Sequence, residues 1–289
     1  MTSRLAARIG LLFFLPAVGL VALITFFPIF YAIWVSLHDT RYLMIRGFIG
    51  LRHYIDFLFR DPDGVGNILK SLIYTFGSLV PALGLGMGLA LALNERIAFR
   101  GVYRTLLIVP WVISQVVTAL LWTWILNAQY GPINHFIREW FGGPLEFFET
   151  PFSAMTALIL TNVWHSFPYP MLLILAALQG IPPTLYEAAQ VDGSTPWVTF
   201  RRITLPCLKN TLAITTIMLS LHYFNMITLP LVLTSGNPAG ATEVMSIRAY
   251  KEAFSFHHFG LGSTIAVYLF LFNAVFSLLY LRLLRPERA

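Results

Sequence analysis

The chain has 289 residues, of which 57% are hydrophobic and only 11% charged, and its mean hydropathy is +0.72. An ordinary soluble domain carries about a quarter charged residues, so the composition excludes one and indicates an integral membrane protein. The net charge of +6 is dispersed among short connectors, a pattern that speaks to membrane orientation, and no nucleic-acid partner is expected.

Six predominantly apolar stretches free of Asp, Glu, Lys and Arg reach the roughly 20 residues needed to cross a hydrocarbon core. They predict an all-α membrane protein with six transmembrane helices near 10–37, 71–94, 105–128, 153–180, 211–234 and 260–281. A single integral domain over 1–289 follows, with a core of about 71–281 and a polar connector at 182–209. The first stretch runs uncharged from Ile9 to Leu37, longer than the core of a cleaved signal, and is expected to stay as a helix with Pro16 and Pro28 inside it. In the second, Gly84, Gly86 and Gly88 suit close helix packing; no strand precedes them, so they are not a nucleotide loop. After the third, "PINHFIREWFGG" reads as an amphipathic interfacial helix.

The connector "EAAQVDGSTPWVTFRRITLP" carries the most detail. Pro182 and Pro183 end the fourth span and start a short helix through Thr184 to Val191, with proline at the first turn. Asp192-Gly193 closes it, glycine supplying a left-handed C-cap. Ser194 is expected to cap a second helix with Pro196 in its first turn and Trp197, Val198, Phe200 and Ile203 on its apolar side. Leu205-Pro206 is expected to end that helix before the fifth span. The single cysteine, Cys207, permits no intrachain disulfide.

Basic residues concentrate on the cytoplasmic side. Arg4, Arg8, Arg96, Arg100, Arg104, Arg201, Arg202, Lys209, Arg282, Arg285 and Arg288 share one side of the predicted topology, giving eleven basic against four acidic residues. The other side has eight basic and nine acidic. The chain is therefore expected to be N-in and C-in, with the connector in the cytoplasm. None of the thirteen acidic residues lies in a span, which argues against a proton-coupled carrier. No G-x-x-x-x-G-K-[ST] loop occurs, so any ATP is bound elsewhere.

At Glu187-Ala188-Ala189, Gly193, Ile203, Leu205 and Pro206 the connector resembles the EAA signature of permease subunits in binding-protein-dependent ABC importers. The resemblance extends along the chain to the carbohydrate-uptake branch, the maltose-like and glycerol-phosphate-like permeases, and to the first permease of such systems. "LPAVGLVALITFFPIFYAIWVSL", "FIGLRHY", "RTLLIVPWVISQVVTALLWTWIL", "YGPINHFI", "LVLTSGNP" and "FGLGSTIAV" each resemble segments of that branch. Two positions depart from it: Arg52-His53 replaces a more usual acidic residue and Asn, and Thr228 stands where many relatives carry Asp. The resemblance implies a permease that is not itself an enzyme, without cofactor of its own. Its implied partners are a second permease in a heterodimer, two copies of an ABC ATPase holding ATP and Mg, an extracytoplasmic solute-binding protein and membrane lipid. The implied location is the bacterial or archaeal cytoplasmic membrane. The seven signature residues would couple to the ATPase.

Polar and aromatic side chains within spans are the substrate-pathway candidates: Trp111, Ser114 and Gln115 in the third, Asn162, Trp164, His165 and Tyr169 in the fourth, and His222, Tyr223 and Asn225 in the fifth. Aromatic faces beside amides suit a neutral polyhydroxylated solute. A phosphate would call for Arg or an equivalent donor cluster, and no Lys or Arg lies mid-span. A sugar is the first expectation; a glycerol-phosphate-type or polyol solute on the same machinery, or a secondary carrier, are the alternatives. Each of these side chains also has a plain structural role open to it, as an interhelical hydrogen-bonding group or interface marker. No His, Cys, Asp and Glu constellation suggests a metal site.

Overall fold

The computed structural model describes residues 2–42, 44–95 and 97–283. Arg96, Arg285 and Arg288, used above for orientation, lie outside the described residues, as do the side chains of Arg4 and Arg8. The described residues are mostly helical and divide into two compact units: one of the residues up to Val65 with Arg248–Tyr268, the other of Gly66–Ile247 with those from Leu269 onward.

The first unit opens with α1 (Thr2–Ser36), which passes through Pro16 and Pro28 without a break. From Phe14 to Ser36 its apolar surface meets little of the described residues, since only 6% of the most apolar window there is buried. An antiparallel hairpin follows, β1 (His38–Arg41) against β2 (Met44–Phe48), with His38 opposite Phe48 and Arg41 opposite Met44. α2 (Arg52–Phe59) then packs its buried Phe57 against Tyr268. The hairpin, absent from the sequence reading, is fixed by tertiary hydrogen bonds, for the Thr40 hydroxyl accepts from Gly260 N–H at 2.6 Å. A charged cluster closes the unit: Arg248 bridges Asp61 and Glu252 at 3.0 Å each, and Glu252 also meets His258 Nδ1 at 2.9 Å.

The second unit holds most of α3 (Gly64–Asn94), then α4 (Arg100–Val112), α5 (Gln115–Ile125), α6 (Pro132–Phe141), α7 (Pro151–Ser166), α8 (Pro168–Gln179), α9 (Pro183–Val191), α10 (Pro196–Thr199), a π-helical turn (Phe200–Thr204), α11 (Leu205–Phe224) and α12 (Thr228–Leu233). α13 (Met245–Tyr250) and a second π turn (Lys251–Ser255) lead to α14 (Phe259–Leu283), and both helices straddle the unit boundary. Two apolar clusters hold the second unit together. One joins Tyr74, Leu158, Leu219, Tyr223 and Leu229, and the other Ala90, Met171, Ile174 and Leu208. Helix contact in a bilayer depends on such close packing because lipid removes the water-driven term. Gly86 is one point of contact, since a Cβ there would come within 2.9 Å of Pro170 and Met171 N. A Cβ at Gly84 or Gly88 would meet nothing within 4 Å among the described residues, so neither is a point of close contact within the chain.

Among the described residues, four helical stretches are long and apolar enough to cross a membrane, or up to six if each bent pair is one span. The expected third span, 105–128, is not one helix: α4 and α5 meet at 96°. Ile113 and Ser114 adopt extended backbone there, and the Ser114 hydroxyl caps α5 by accepting from Val117 N–H at 3.3 Å. The fourth, 153–180, bends by 40° where Pro168 removes a donor from the ladder. The fifth differs at both ends from the expected 211–234. It continues backward through the π turn to Pro196 and stops at Phe224, and Asn225–Ile227 separates it from α12. Leu205-Pro206 therefore does not end a helix. Pro206 sits in the first turn of α11, where the wide π turn bonds Leu205 N–H to Phe200 O and the missing donor is tolerated.

Candidate functional site

Two sites emerge in the second unit, one inside the spans and one on the connector. Within the spans, Trp111, His165, Ser166, Tyr169, Met218, Leu219 and His222 line a cavity of 290 Å³. The rings of Trp111 and Tyr169 stand 5.9 Å apart, and His165 Nδ1 lies 3.3 Å from the Thr118 hydroxyl. A cleft of 510 Å³ lies beside it, lined by Gln115, Leu221, His222, Asn225, Met226, Ile227 and Thr228. His222 belongs to both walls, and its Nε2 is 3.5 Å from the Gln115 amide nitrogen. The lining thus comes from α4, α5, α7, α8, α11 and α12 and from the break at 225–227. No Asp, Glu, Lys or Arg is among these lining residues.

Six of the ten predicted pathway residues are therefore gathered as lining (Trp111, Gln115, His165, Tyr169, His222, Asn225), with His222 joining the two spaces. Four are elsewhere. Tyr223 is 1% exposed and its hydroxyl pairs with Ser166 inside the core. Trp164 packs edge-on against Trp122 at 5.6 Å. Asn162 is fully buried, and neither amide atom has a protein partner. Ser114, exposed, serves α5 as its cap. Ser166, Met218, Leu219, Leu221, Met226, Ile227 and Thr228 complete the lining; Ser166 and Met218 carry no sequence signal, because the bends in the spans decide which way they face.

On the connector, α9 starts with Pro183 at its first position, and Asp192 at its C-cap is followed by Gly193, whose φ is +70°. Two bonds close the turn, Gly193 N–H to Gln190 O at 3.0 Å and Ser194 N–H to Ala189 O at 2.9 Å. The second helix is capped by Thr195, not Ser194, since the Thr195 hydroxyl accepts from Val198 N–H. Pro196 holds the first position of α10 there, and the residue before a proline is biased to the extended backbone a cap needs. Tyr186 joins α9 to the π turn through its hydroxyl, 3.2 Å from that of Thr204.

The seven signature residues divide by exposure. Glu187, Ala188, Gly193, Leu205 and Pro206 face outward, Ala189 is buried and Ile203 half-buried. Trp197 is 66% exposed and lies outside the apolar side assigned to it, stacked on half-buried Phe200 at 5.7 Å. Val191, unremarked in the sequence, is 88% exposed at the tip of α9. The connector thus presents the Glu187 carboxylate and two large, exposed apolar side chains on its surface. Behind it lies a cleft of 980 Å³ lined by residues of α3, α8, α9, α10 and the π turn.

Comparison with known proteins follows the same lines. Residues 82–286 match the family model described as "Binding-protein-dependent transport system inner membrane component". The chain is 33% identical over 292 residues to the trehalose/maltose transport system permease protein MalF of Thermococcus litoralis, covering 100% of this chain and 98% of that protein. It is 30% identical to the sulfoquinovosyl glycerol transport system permease protein SmoG of Agrobacterium fabrum, covering 96% and 91%. Among solved structures, it superposes with a TM-score of 0.85, at 23% identity, on a chain from the crystal structure of a bacterial ABC transporter involved in the import of alginate, covering 100% of this chain and 99% of the other.

Proposed function

Because the chain belongs to the family of binding-protein-dependent transport system inner membrane components, we propose that it is the permease subunit of an ATP-driven importer for a sugar or sugar-like solute. In this reading it lies N-in and C-in as one six-span permease domain, each bent pair counting as one span, paired with a second permease. ATP and Mg act on two copies of a separate ATPase, and an extracytoplasmic binding protein delivers the solute.

The observation that carries the solute class is the lining around His222. Trp111 and Tyr169 offer flat apolar faces, while Gln115, Asn225, Thr228 and the two imidazoles offer directional hydrogen bonds. That combination suits a neutral polyol ring. A phosphorylated solute finds no cation among the same residues.

Coupling runs through α9. Glu187 meets a basic group of the ATPase, Val191 and Trp197 enter an apolar recess, and the Ala188 surface lets the helix seat closely. When ATP draws the two ATPases together, α9 moves with them. Tyr186–Thr204 and the unbroken run from Pro196 to Phe224 pass that displacement to His222 on α11. A lever of this kind opens the lining to one side of the membrane and then the other.

The test is reconstitution with the ATPase, the second permease and the binding protein in nanodiscs, with ATPase activity measured against a panel of sugars. Stimulation by one sugar-loaded binding protein is expected, and Trp111→Ala should reduce uptake while ATPase assembly persists. Isolation of an active transporter lacking any ATPase would overturn the reading.

A further inference from the structure

α4 begins against electrostatic preference. Its first turn places Arg100 where the helix dipole is positive, Arg104 follows one turn on, and its N-cap, Phe99, is left-handed with no side-chain cap. Basic groups at a helix N-terminus and like charges at i, i+4 are each destabilising. Both guanidiniums nevertheless converge on one neutral atom. With the amide of Gln179, the last residue of α8, turned so that its oxygen meets these donors, that oxygen accepts from Arg100 Nη2 at 2.7 Å and from Arg104 Nη2 at 3.3 Å. The Nε of each arginine is buried with no hydrogen-bond partner. Among the described residues, no carboxylate pairs with either. Two positive charges and a helix N-terminus thus share one spot, and a single anion would compensate both.

A second feature says what kind of anion. Thr105, Ile108, Val109, Val112 and Ile113 line an apolar groove of 340 Å³ farther along α4. Ile108 and Val112 follow Arg104 at i, i+4 steps, so the groove starts about one turn from the guanidinium and runs toward the middle of the bilayer. Gln179 precedes Pro183 of α9 by four residues, which sets the arginines at the membrane boundary on the connector side.

We propose that Arg100 and Arg104 hold the phosphate of an anionic phospholipid whose acyl chain occupies the groove along α4. The phosphate oxygens take Nη donors of the two guanidiniums, and Gln179 keeps the two forks together. The site lies apart from the solute lining and makes no use of the solute's identity.

The experiment is lipid quantification by mass spectrometry on the complete complex, purified from membranes containing phosphatidylglycerol and phosphatidylethanolamine and washed with excess detergent. Phosphatidylglycerol is expected to be enriched on the wild type. Gln179→Glu places a carboxylate between the guanidiniums and should lower that enrichment by about twenty-fivefold, at about fivefold for each basic group released, while the complex stays folded. Ile108→Trp fills the groove and should also lower retention with the arginines untouched. Unchanged retention in Gln179→Glu would overturn the proposal. So would binding of radiolabelled inorganic phosphate to lipid-free complex with displacement of phosphatidylglycerol by it, which would assign the site to a soluble anion. Loss of the ATPase from Gln179→Glu with lipid retention unaltered would assign the arginines to a protein partner instead.

Discussion

Replacing Gly193 tests the coupling surface through backbone conformation alone. Gly193 closes α9 at a φ of +70°, and a Cβ there would meet nothing within 4 Å. Substitution therefore adds no clash, and the whole effect is the left-handed strain of an L-residue, about 1–2 kcal/mol for Val. The closed turn, with its bonds from Gly193 N–H and Ser194 N–H, should fall in population by roughly five- to thirtyfold. Asn adopts the same conformation far more readily and should recover most of the loss. Both variants should keep wild-type membrane yield and melting temperature, because the turn is exposed and touches little else. Solute-stimulated ATPase activity of the reconstituted complex should then rank Gly, Asn, Val, with the Val variant retaining at most a fifth of the coupled rate. Equal activity for Val and Gly, or an Asn variant as impaired as Val, would refute the argument that this turn's geometry sets the position of Glu187.

Glu187→Lys should separate ATP hydrolysis from uptake, because a buried interfacial ion pair lost with a charge reversal costs about 2–5 kcal/mol; proteoliposome uptake measured beside ATPase rate checks it. Tyr223→Phe and Ser166→Ala each remove one partner of a hydroxyl pair in which both residues are buried, and each should destabilise by about 1–3 kcal/mol. In thermal unfolding the double variant should lose clearly less than the two single losses combined. His53, on α2, is held below the ordinary imidazole value of 6.5 by burial. The folded state thus resists taking up a proton that the unfolded state accepts, so stability present above about pH 6.5 declines as pH falls through that value. His53→Gln should flatten the dependence in melting curves between pH 8 and pH 5.5.

The connector was legible because its backbone is dictated by local chemistry. Pro183 needs a first-turn position, Gly193 a left-handed one, and a run of small and apolar residues between them has a single helical solution. The misplacement of its second cap by one residue shows the limit of that locality, for Ser194 and Thr195 are both capping residues and only Pro196 distinguishes them. The spans were legible as apolar lengths but not as shapes. Hydropathy averages across Ile113-Ser114, where two extended residues turn the chain by 96°. The pathway residues were found as polar groups at membrane depth, yet which of them face a common space depends on those bends. Thus His165 and His222 arrive together with Met218, while Asn162 and Tyr223 turn into the core. The hairpin at 38–48 escaped notice because its anchor, Gly260, lies 220 residues from Thr40.

The π turn at Phe200–Thr204 makes the length of the connector a rotational setting. One residue of a helix corresponds to about 100° of rotation about its axis. The turn already holds one residue more than an α-helical turn: deleting one within 200–204 converts the bond from Leu205 N–H to Phe200 O into an ordinary i, i+4 bond and leaves both flanks facing as before. A deletion within α10 has no such slack and should swing α9 around α11 by about 100°, carrying Glu187 and Val191 off the side where they now stand. The spacing from Gly193 to Pro206 is in this sense an angular coordinate written into the sequence.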